Sequence, residues 1–298
     1  MKKKKINRII LYIIIVLVGV LMVYPLIWMI MASFKTNSEI FGSVQLLPDS
    51  FSFDSFVKGW QGTGQYNYTT YFINTFWLVI PTTLFTVLSS AVVAYGFSRF
   101  RFPGKKILLG VLIATLMLPS TVVIIPRYTL YSKLGWLDTY LPFYIPALLS
   151  CNAFFVYMLI QFIRGIPREL DEAAYIDGCG SFRTFTTILL PLMKPALFSA
   201  GLFQFLWTYN DFFNSLIYIN SVSKYPISLA LRTAIDADAN IQWSQIMSMS
   251  VVSVLPLVIL YFLGSVNILF REFATSGIER LENIARKRRC ENDSRKTR

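Results

Sequence analysis

The sequence predicts an all-α, polytopic membrane protein with six transmembrane helices. Of its 298 residues, 55% are hydrophobic and only 15% are charged, and the mean hydropathy is +0.54. Soluble domains carry about 25% charged residues, which they need to cover their surface. Here the charges occur in short blocks between long apolar runs, which is the pattern of a chain that crosses a membrane several times.

Six apolar stretches are each long enough to cross a bilayer core, which takes about 20 helical residues. They are residues 9–31, 71–98, 107–125, 140–163, 195–218 and 246–270. The first stretch follows a lysine-rich start, as in a signal peptide, but it exceeds the roughly 7–15 apolar residues of such a peptide. We therefore expect it to remain in the protein as the first span.

The basic residues predict which ends of the spans face the cytoplasm. With both termini inside, the cytoplasmic segments hold 22 of the 28 Lys and Arg residues, and the outer segments hold 6. Cytoplasmic loops of membrane proteins are enriched in these residues. The sequence thus places both termini and segment 164–194 in the cytoplasm, with segments 32–70 and 219–244 outside.

Segment 164–194 separates the fourth and fifth spans and is polar. Acidic residues at positions 169, 171 and 172 would complement the dipole of a helix that begins there. We expect this helix to reach about Ile176 and to stop at Gly178, because glycine adopts left-handed dihedral angles at low cost. Ser181 would cap a second helix that ends before Pro191. The segment is thus predicted to form a helix–turn–helix.

A family resemblance rests on the spacing of residues in this segment. Glu172, Ala173 and Ala174 are followed by Asp177 and Gly178, and then by a Leu-Pro pair that ends at Pro191. At this spacing the segment resembles the Glu-Ala-Ala loop of bacterial ABC importer permeases. The resemblance covers about residues 10–277 and is strongest to the smaller six-span subunit of maltose-type sugar importers. Further matching segments are 94–104, 117–119, 125–126, 134–139 and 207–217.

The resemblance implies that segment 164–194, called the coupling loop below, carries a cytoplasmic coupling helix that docks on an ATPase subunit. The contact residues it implies are Glu172, Ala173, Ala174, Asp177, Gly178 and Pro191. The alanines would let the partner approach the backbone closely, and Glu172 would pair with a basic residue. A merely solvated cytoplasmic loop is the alternative.

The partners implied by the resemblance are a second permease subunit, two copies of an ATP-binding subunit and an extracellular solute-binding protein. The protein would lie in a bacterial cytoplasmic membrane, in contact with the lipid bilayer. Its parts would be a basic N-terminus (1–8), a permease domain (9–277) and a basic cytoplasmic tail (278–298). The tail departs from the family pattern, and we expect it to be a disordered cationic end near anionic lipid.

Polar residues recur along one face of the predicted fifth span. Gln204, Thr208, Asp211 and Ser215 follow one another at helical spacing. Polar groups within a span usually face the bundle interior or a water-filled cavity. These four residues therefore either line a translocation pathway or join helices by hydrogen bonds. Pro119 and Pro126 would allow local unwinding near the third span.

Other classes of function find little support in the sequence. The chain has no His, three scattered Cys residues and no Gly-x-x-x-x-Gly-Lys loop for ATP, so no metal, cofactor or catalytic set is predicted. The Lys and Arg residues that give the net charge of +12 lie in blocks between the apolar runs, and they do not form the pattern of a nucleic-acid-binding surface. We predict a non-enzymatic translocation subunit of a sugar importer. A self-sufficient secondary carrier is the alternative, although Asp211 has no evident basic partner in the sequence.

Overall fold

The computed structural model describes residues 2–43, 45–62, 66–150, 152–236 and 241–264. Within these ranges every extended regular element is helical, which confirms the predicted all-α class. The basic tail 278–298 and the end of the predicted sixth span lie outside the described residues. In chain order the elements are α1 (Lys2–Ala32), α2 (Asn37–Gly42), α3 (Asp54–Gln61), α4 (Tyr68–Arg99), α5 (Lys105–Leu116), α6 (Ser120–Lys133), α7 (Leu141–Leu148), α8 (Ala153–Arg164), α9 (Glu169–Ile176), α10 (Ser181–Thr184), a π-helical turn (Phe185–Leu189), α11 (Leu190–Leu192), α12 (Lys194–Tyr209), α13 (Phe212–Tyr218), a 3-10 turn (Val222–Lys224), α14 (Ile227–Asp236) and α15 (Trp243–Gly264).

The number of spans is four or six, depending on how two bent helix pairs are counted. Four segments of the described chain are long and apolar enough to cross a membrane: Ile9–Ala32, Tyr68–Arg99, Leu141–Arg164, which comprises α7 and α8, and Trp243–Gly264. The two bent pairs are Lys105–Leu116 with Thr121–Lys133, and Ser181–Leu192 with Lys194–Tyr209. The predicted count of six holds if each pair makes one crossing, and it stays a prediction.

Helix α4 is the centre of the packing. Its buried residues recur every three or four positions along its whole length, from Tyr71 to Ser98. Helices α7, α8, α12 and α14 all pack against this helix. The small residues Ala91 and Ala94 are fully buried and let neighbouring backbones approach closely. By contrast, side chains 9–28 of α1 are all exposed in the isolated chain.

The third span, predicted over 107–125 with local unwinding near Pro119, is sharply bent. The axes of α5 and α6 differ by 105°, and the chain turns at Met117–Pro119. Pro119 precedes α6 in an extended conformation, and proline disfavours helical geometry at the residue before it. Pro126, however, lies within α6 without ending it.

The fifth span also differs from the continuous helix predicted over 195–218. Helix α12 ends at Tyr209, and a new helix, α13, begins at Phe212. The cause is Asp211, whose side chain accepts a hydrogen bond of 3.1 Å from the backbone N–H of Asn214 and so caps α13. A short acidic side chain competes with the helical backbone in this way.

The connecting segments gather at the two ends of α4. At the end where α4 begins, Asn37 bonds residues 241, 242 and 244, and Asn74 bonds the carbonyl oxygens of Ser223 and Tyr225. At the other end, residues 95–100 contact the coupling loop. The predicted outer segments thus share one end, and the coupling loop lies at the opposite end.

Candidate functional site: the coupling loop and a polar cavity

The first half of the coupling loop is the helix predicted from the sequence. Helix α9 runs from Glu169 to Ile176 and ends at Gly178, whose φ angle is +78°. The N–H of Gly178 bonds the carbonyl of Tyr175 (3.0 Å), and the N–H of Cys179 bonds the carbonyl of Ala174 (2.9 Å). These two bonds form a Schellman ending, which requires a left-handed residue at position 178.

The second half of the coupling loop departs from the prediction. Gly180 occupies the cap position without a side-chain hydrogen bond, and Ser181 is already the first helical residue. The helical path does not end before Pro191 but continues through a π turn to Leu192. Proline cannot donate to the preceding turn and crowds its carbonyl, and a wider π turn accommodates this. A bend of 74° then leads into α12.

The exposed surface of the coupling loop is more apolar than the contact residues predicted from the sequence would make it. Glu172, Ala173, Asp177, Gly178 and Pro191 are exposed, but Ala174 is only 3% exposed and belongs to the core. Sequence reasoning missed three large apolar side chains beside the turn. They are Tyr175, Ile176 and Phe182, which are 81%, 83% and 79% exposed. Their position on both sides of the Asp-Gly turn was the signal that could have identified them.

Polar contacts fix the coupling loop to the end of α4. Arg99 forms an ion pair of 2.8 Å with Asp171 and donates a hydrogen bond of 3.0 Å to the carbonyl of Ile166. The hydroxyl of Tyr95 donates to the carbonyl of Ser181 at 3.0 Å, and the ring of Tyr95 stacks on Phe185. Burial raises the pKa of Asp171, and the neighbouring charges of Arg99 and Arg168 oppose this rise. The loop is therefore held as one body with α4.

A cavity of about 1020 Å³ lies between α4, α6, α7 and the α12–α13 break. Three of the four predicted pathway residues line it: Gln204, Thr208 and Asp211. The amide of Gln204 donates to the hydroxyl of Thr208 (2.8 Å) and accepts from Asn152 (3.2 Å). Ser215 is fully buried outside the lining and donates to the carbonyl of Asp211 at 2.7 Å. The break at Asp211 explains why the fourth residue leaves the common face.

Sequence reasoning also missed residues on the facing walls of this cavity. Arg127, on α6, lines the cavity together with Asp211 and lies close enough to affect its carboxylate electrostatically. Asp211 therefore has a basic neighbour that the sequence did not reveal. Trp207 lines the same cavity, and its ring packs against Phe154 and Phe155 with centroids 5.0 and 5.1 Å away. Within the described residues no group of His, Cys, Asp and Glu side chains is arranged to hold a metal ion.

Comparisons with known proteins agree with this architecture. The family model for the binding-protein-dependent transport system inner membrane component matches residues 87–271, more than half of the chain. A probable ABC transporter permease protein, YurM of Bacillus subtilis, is 34% identical over 80% of this chain and 78% of its own length. The trehalose/maltose transport system permease protein MalG of Thermococcus litoralis is 30% identical over 93% of this chain and 97% of its own length.

A solved structure shares the fold. It is a bacterial ABC transporter involved in the import of the acidic polysaccharide alginate, and the match has a TM-score of 0.76 with 21% sequence identity. The match covers 88% of this chain and 96% of the other chain. Together with the family match, these likenesses identify an integral membrane transport permease. The chain belongs to the family of binding-protein-dependent transport system inner membrane components.

Proposed function

We propose that this chain is the translocation subunit of an ATP-driven importer for a sugar or oligosaccharide, and that it couples solute passage to ATP hydrolysis by partner subunits. The names of its relatives support the substrate class, because the MalG relative serves trehalose and maltose and the structural neighbour serves alginate. The chain itself is not an enzyme in this proposal.

The observation that carries the proposal is the surface of the coupling loop. Tyr175, Ile176 and Phe182 expose large apolar area beside the acidic Glu172, on helices that are bonded to α4. Aromatic and aliphatic side chains of this kind are typical anchors of protein–protein interfaces, with charged residues around them. A solvated loop, or the loop of a self-sufficient carrier, would not be expected to expose such an apolar surface to water. We infer that it docks on the ATP-binding subunit.

The remaining partners follow from the same assignment. A second permease subunit would complete the pathway, two copies of the ATP-binding subunit would drive it, and an extracellular solute-binding protein would deliver the solute. A related alginate transporter has been solved in complex with its pentasaccharide-bound periplasmic protein. The exposed apolar surface of α1 would face the lipid bilayer or the second permease subunit.

The solute pathway in this proposal runs through the cavity beside α12 and α13. Gln204, Thr208 and Asp211 would line it, while Ser215 would hold the break that positions Asp211. The chain would lie in a bacterial cytoplasmic membrane with the coupling loop and both termini in the cytoplasm, as the distribution of basic residues indicates.

The experiment changes the coupling loop and measures docking. Gly178→Val forces a β-branched residue into a left-handed conformation at a cost of about 1–3 kcal/mol, although the space around Gly178 is open. Glu172→Ala removes one partner of an interface charge contact, which commonly costs about 2–5 kcal/mol. We expect both variants to retain less ATPase subunit on the purified permease, or to transport less solute per ATP hydrolysed, with normal membrane insertion.

Matched controls are available in the same loop. Gly180 also has open space around it but has an ordinary φ of −70°, so Gly180→Val should behave like the wild type. Glu169→Ala is the control for Glu172→Ala, because it removes an acid from the same helical turn. Wild-type retention and coupling in both Gly178→Val and Glu172→Ala would show that this loop does not dock on the ATPase.

A further inference from the structure

The polar cavity contains opposite charges on facing elements. Among the residues that line it, Arg127 and Asp211 alone are charged, one on α6 and the other at the start of α13. All the other polar lining groups are neutral hydroxyls, amides or aromatic groups. The lining therefore has no net charge.

The two charges do not form a closed ion pair. The ion pairs found in the described part of the chain join Arg99 to Asp171 and Lys224 to Asp138, so Arg127 and Asp211 stay farther apart than direct contact. The carboxylate of Asp211 accepts hydrogen bonds from Asn214 instead, at 2.8 and 3.0 Å from the side-chain amide. Arg127 is exposed and lines the cavity, and it lies close enough to interact with the hydroxyl of Tyr218, another lining residue.

An open charge pair inside a membrane protein needs a reason. Charged groups among spans are costly and are usually paired with each other or face a water-filled pathway. Here both groups line one cavity with a gap between them. A polar solute that reaches both walls would satisfy donors on one side and acceptors on the other.

The remaining lining fits a solute with many hydroxyl groups. Thr82, Asn152, Gln204 and Thr208 place neutral hydroxyl and amide groups on the walls, and the last three are hydrogen-bonded to one another. Trp207 offers a broad apolar face that Phe154 and Phe155 hold in place. A cavity with an aromatic surface and a few directed polar groups is the usual form of a small-molecule site.

We propose that Arg127 and Asp211 form a saccharide-binding subsite in this chain, with a preference for neutral over acidic sugars. Arg127 donates hydrogen bonds to hydroxyl oxygens of the sugar, and the Asp211 carboxylate accepts hydrogen bonds from other sugar hydroxyl groups. The apolar face of the sugar ring packs on Trp207. A uronate would add a second negative charge near Asp211 that Arg127 alone must balance, and this selects against acidic saccharides. The inference rests on the proposed function, because it assigns a substrate class to the same pathway.

The test measures saccharide binding to the importer complex purified with its permease and ATPase partners in lipid nanodiscs. The probes are a panel of neutral di- and trisaccharides (maltose, trehalose, arabinotriose and chitobiose) and the acidic digalacturonate and trigalacturonate. We expect the wild type to bind at least one neutral sugar more tightly than either uronate. Arg127→Gln and Asp211→Asn should each raise its Kd about tenfold, as expected for a lost hydrogen bond to a charged group.

Control variants separate a local effect from misfolding. Asp211→Asn keeps a side-chain oxygen that can cap α13, so the helix break should persist in this variant. Lys133→Gln removes a positive charge from the same helix as Arg127 but outside the cavity lining, so its Kd should match the wild type. All variants should retain the ATPase subunit, since none of these residues lies in the coupling loop.

Three results would overturn the proposal. They are tighter binding of a uronate than of every neutral sugar, unchanged Kd in Arg127→Gln and Asp211→Asn alike, and absence of binding by any member of the panel. Each of these results is separate from the docking experiment, because ATPase retention does not depend on the cavity. A loss of docking in the Gly178 and Glu172 variants would still support the importer even if the subsite fails.

Discussion

At the scale of single residues, Asp138 illustrates how one side chain can organise a whole turn. It lies between α6 and α7 with a left-handed φ of +57°, which is unusual for a residue other than glycine. Its carboxylate accepts hydrogen bonds from the backbone N–H groups of Asn220 and Ser221, from the Ser221 hydroxyl and from Lys224. Asp138 thereby holds the start of the segment that leads to α14.

The ionisation of Asp138 follows from these contacts. Burial would raise the pKa of the carboxyl, but the hydrogen bonds from Ser221, Lys224 and Asn220 together hold the pKa below its ordinary value of 3.8. A carboxyl with a depressed pKa in the folded state contributes stability at pH values above the unfolded pKa. It loses that contribution only as the pH falls from there toward the folded pKa.

We predict that Asp138→Asn lowers the stability of the purified permease by about 1–3 kcal/mol, because hydrogen bonds to a charged acceptor are lost. The difference in melting temperature from the wild type should stay constant from about pH 8 to about pH 5, since Asp138 remains ionised there. Asp54→Asn, at an exposed acid of the same end, is the control. A difference that disappears on lowering the pH from 7 to 5 would contradict the depressed pKa.

At the scale of elements, the features predicted well from the sequence were local ones. Helix α9 and its ending at Gly178 depend on neighbouring residues, so acidic residues and one glycine were sufficient to predict them. The break at Asp211 was missed because apolar residues continue on both sides of it, and hydropathy does not register a capping side chain. The burial of Ala174 and the position of Arg127 depend on residues distant in sequence, which no local pattern encodes.

The ion pair between Arg99 and Asp171 joins two helices that are distant in sequence, α4 and α9. The Arg99 side chain is 9% exposed and that of Asp171 is 22% exposed, so both charges are largely removed from water. Removing one partner of a buried pair leaves the other charge uncompensated, which costs more than removing both. The pair is therefore suited to transmit a displacement of the coupling loop to α4.

We predict that Arg99→Gln and Asp171→Asn each lower the solute transported per ATP hydrolysed while the ATPase subunit stays bound, because the docking surface is unchanged. In a double-mutant cycle of thermal stability, the two changes should show a coupling energy of about 0.5–3 kcal/mol. Arg183→Gln, at an exposed position of the same loop, serves as the control. Strictly additive effects together with normal transport coupling would show that the pair has no part in transmission.

At the scale of the whole molecule, α4 connects the cavity with the coupling loop. Its 32 residues span about 48 Å, whereas the hydrocarbon core of a bilayer is about 30 Å thick. Thr82 and Thr86 of this helix line the cavity, and Tyr95 and Arg99, farther along it, contact the coupling loop. One helix thus contributes residues to both sites.

The arrangement of the segments limits the topology without fixing its direction. Asn37 bonds residues 241 and 244, so the first and last connecting segments lie at the same end of the bundle. The chain between them must therefore cross the bilayer an even number of times, and the four spans predicted between residues 70 and 219 meet this condition. The coupling loop lies at the opposite end, and the distribution of basic residues predicts that this end faces the cytoplasm.

We predict from this topology which single cysteines react with a membrane-impermeant maleimide, in a background where Cys151, Cys179 and Cys290 are replaced. Ser43→Cys and Ser223→Cys should be labelled in intact cells, because both lie at the outer end. Tyr175→Cys, in cells that express the permease without the ATP-binding subunit that would cover this residue, should be labelled only after the cells are permeabilised. Tyr175 is 81% exposed and is therefore a better probe than Thr184, which at 5% exposed would escape labelling on either side. If Tyr175→Cys reacts in intact cells, the coupling loop lies on the side without ATP, and the proposed importer fails together with the topology.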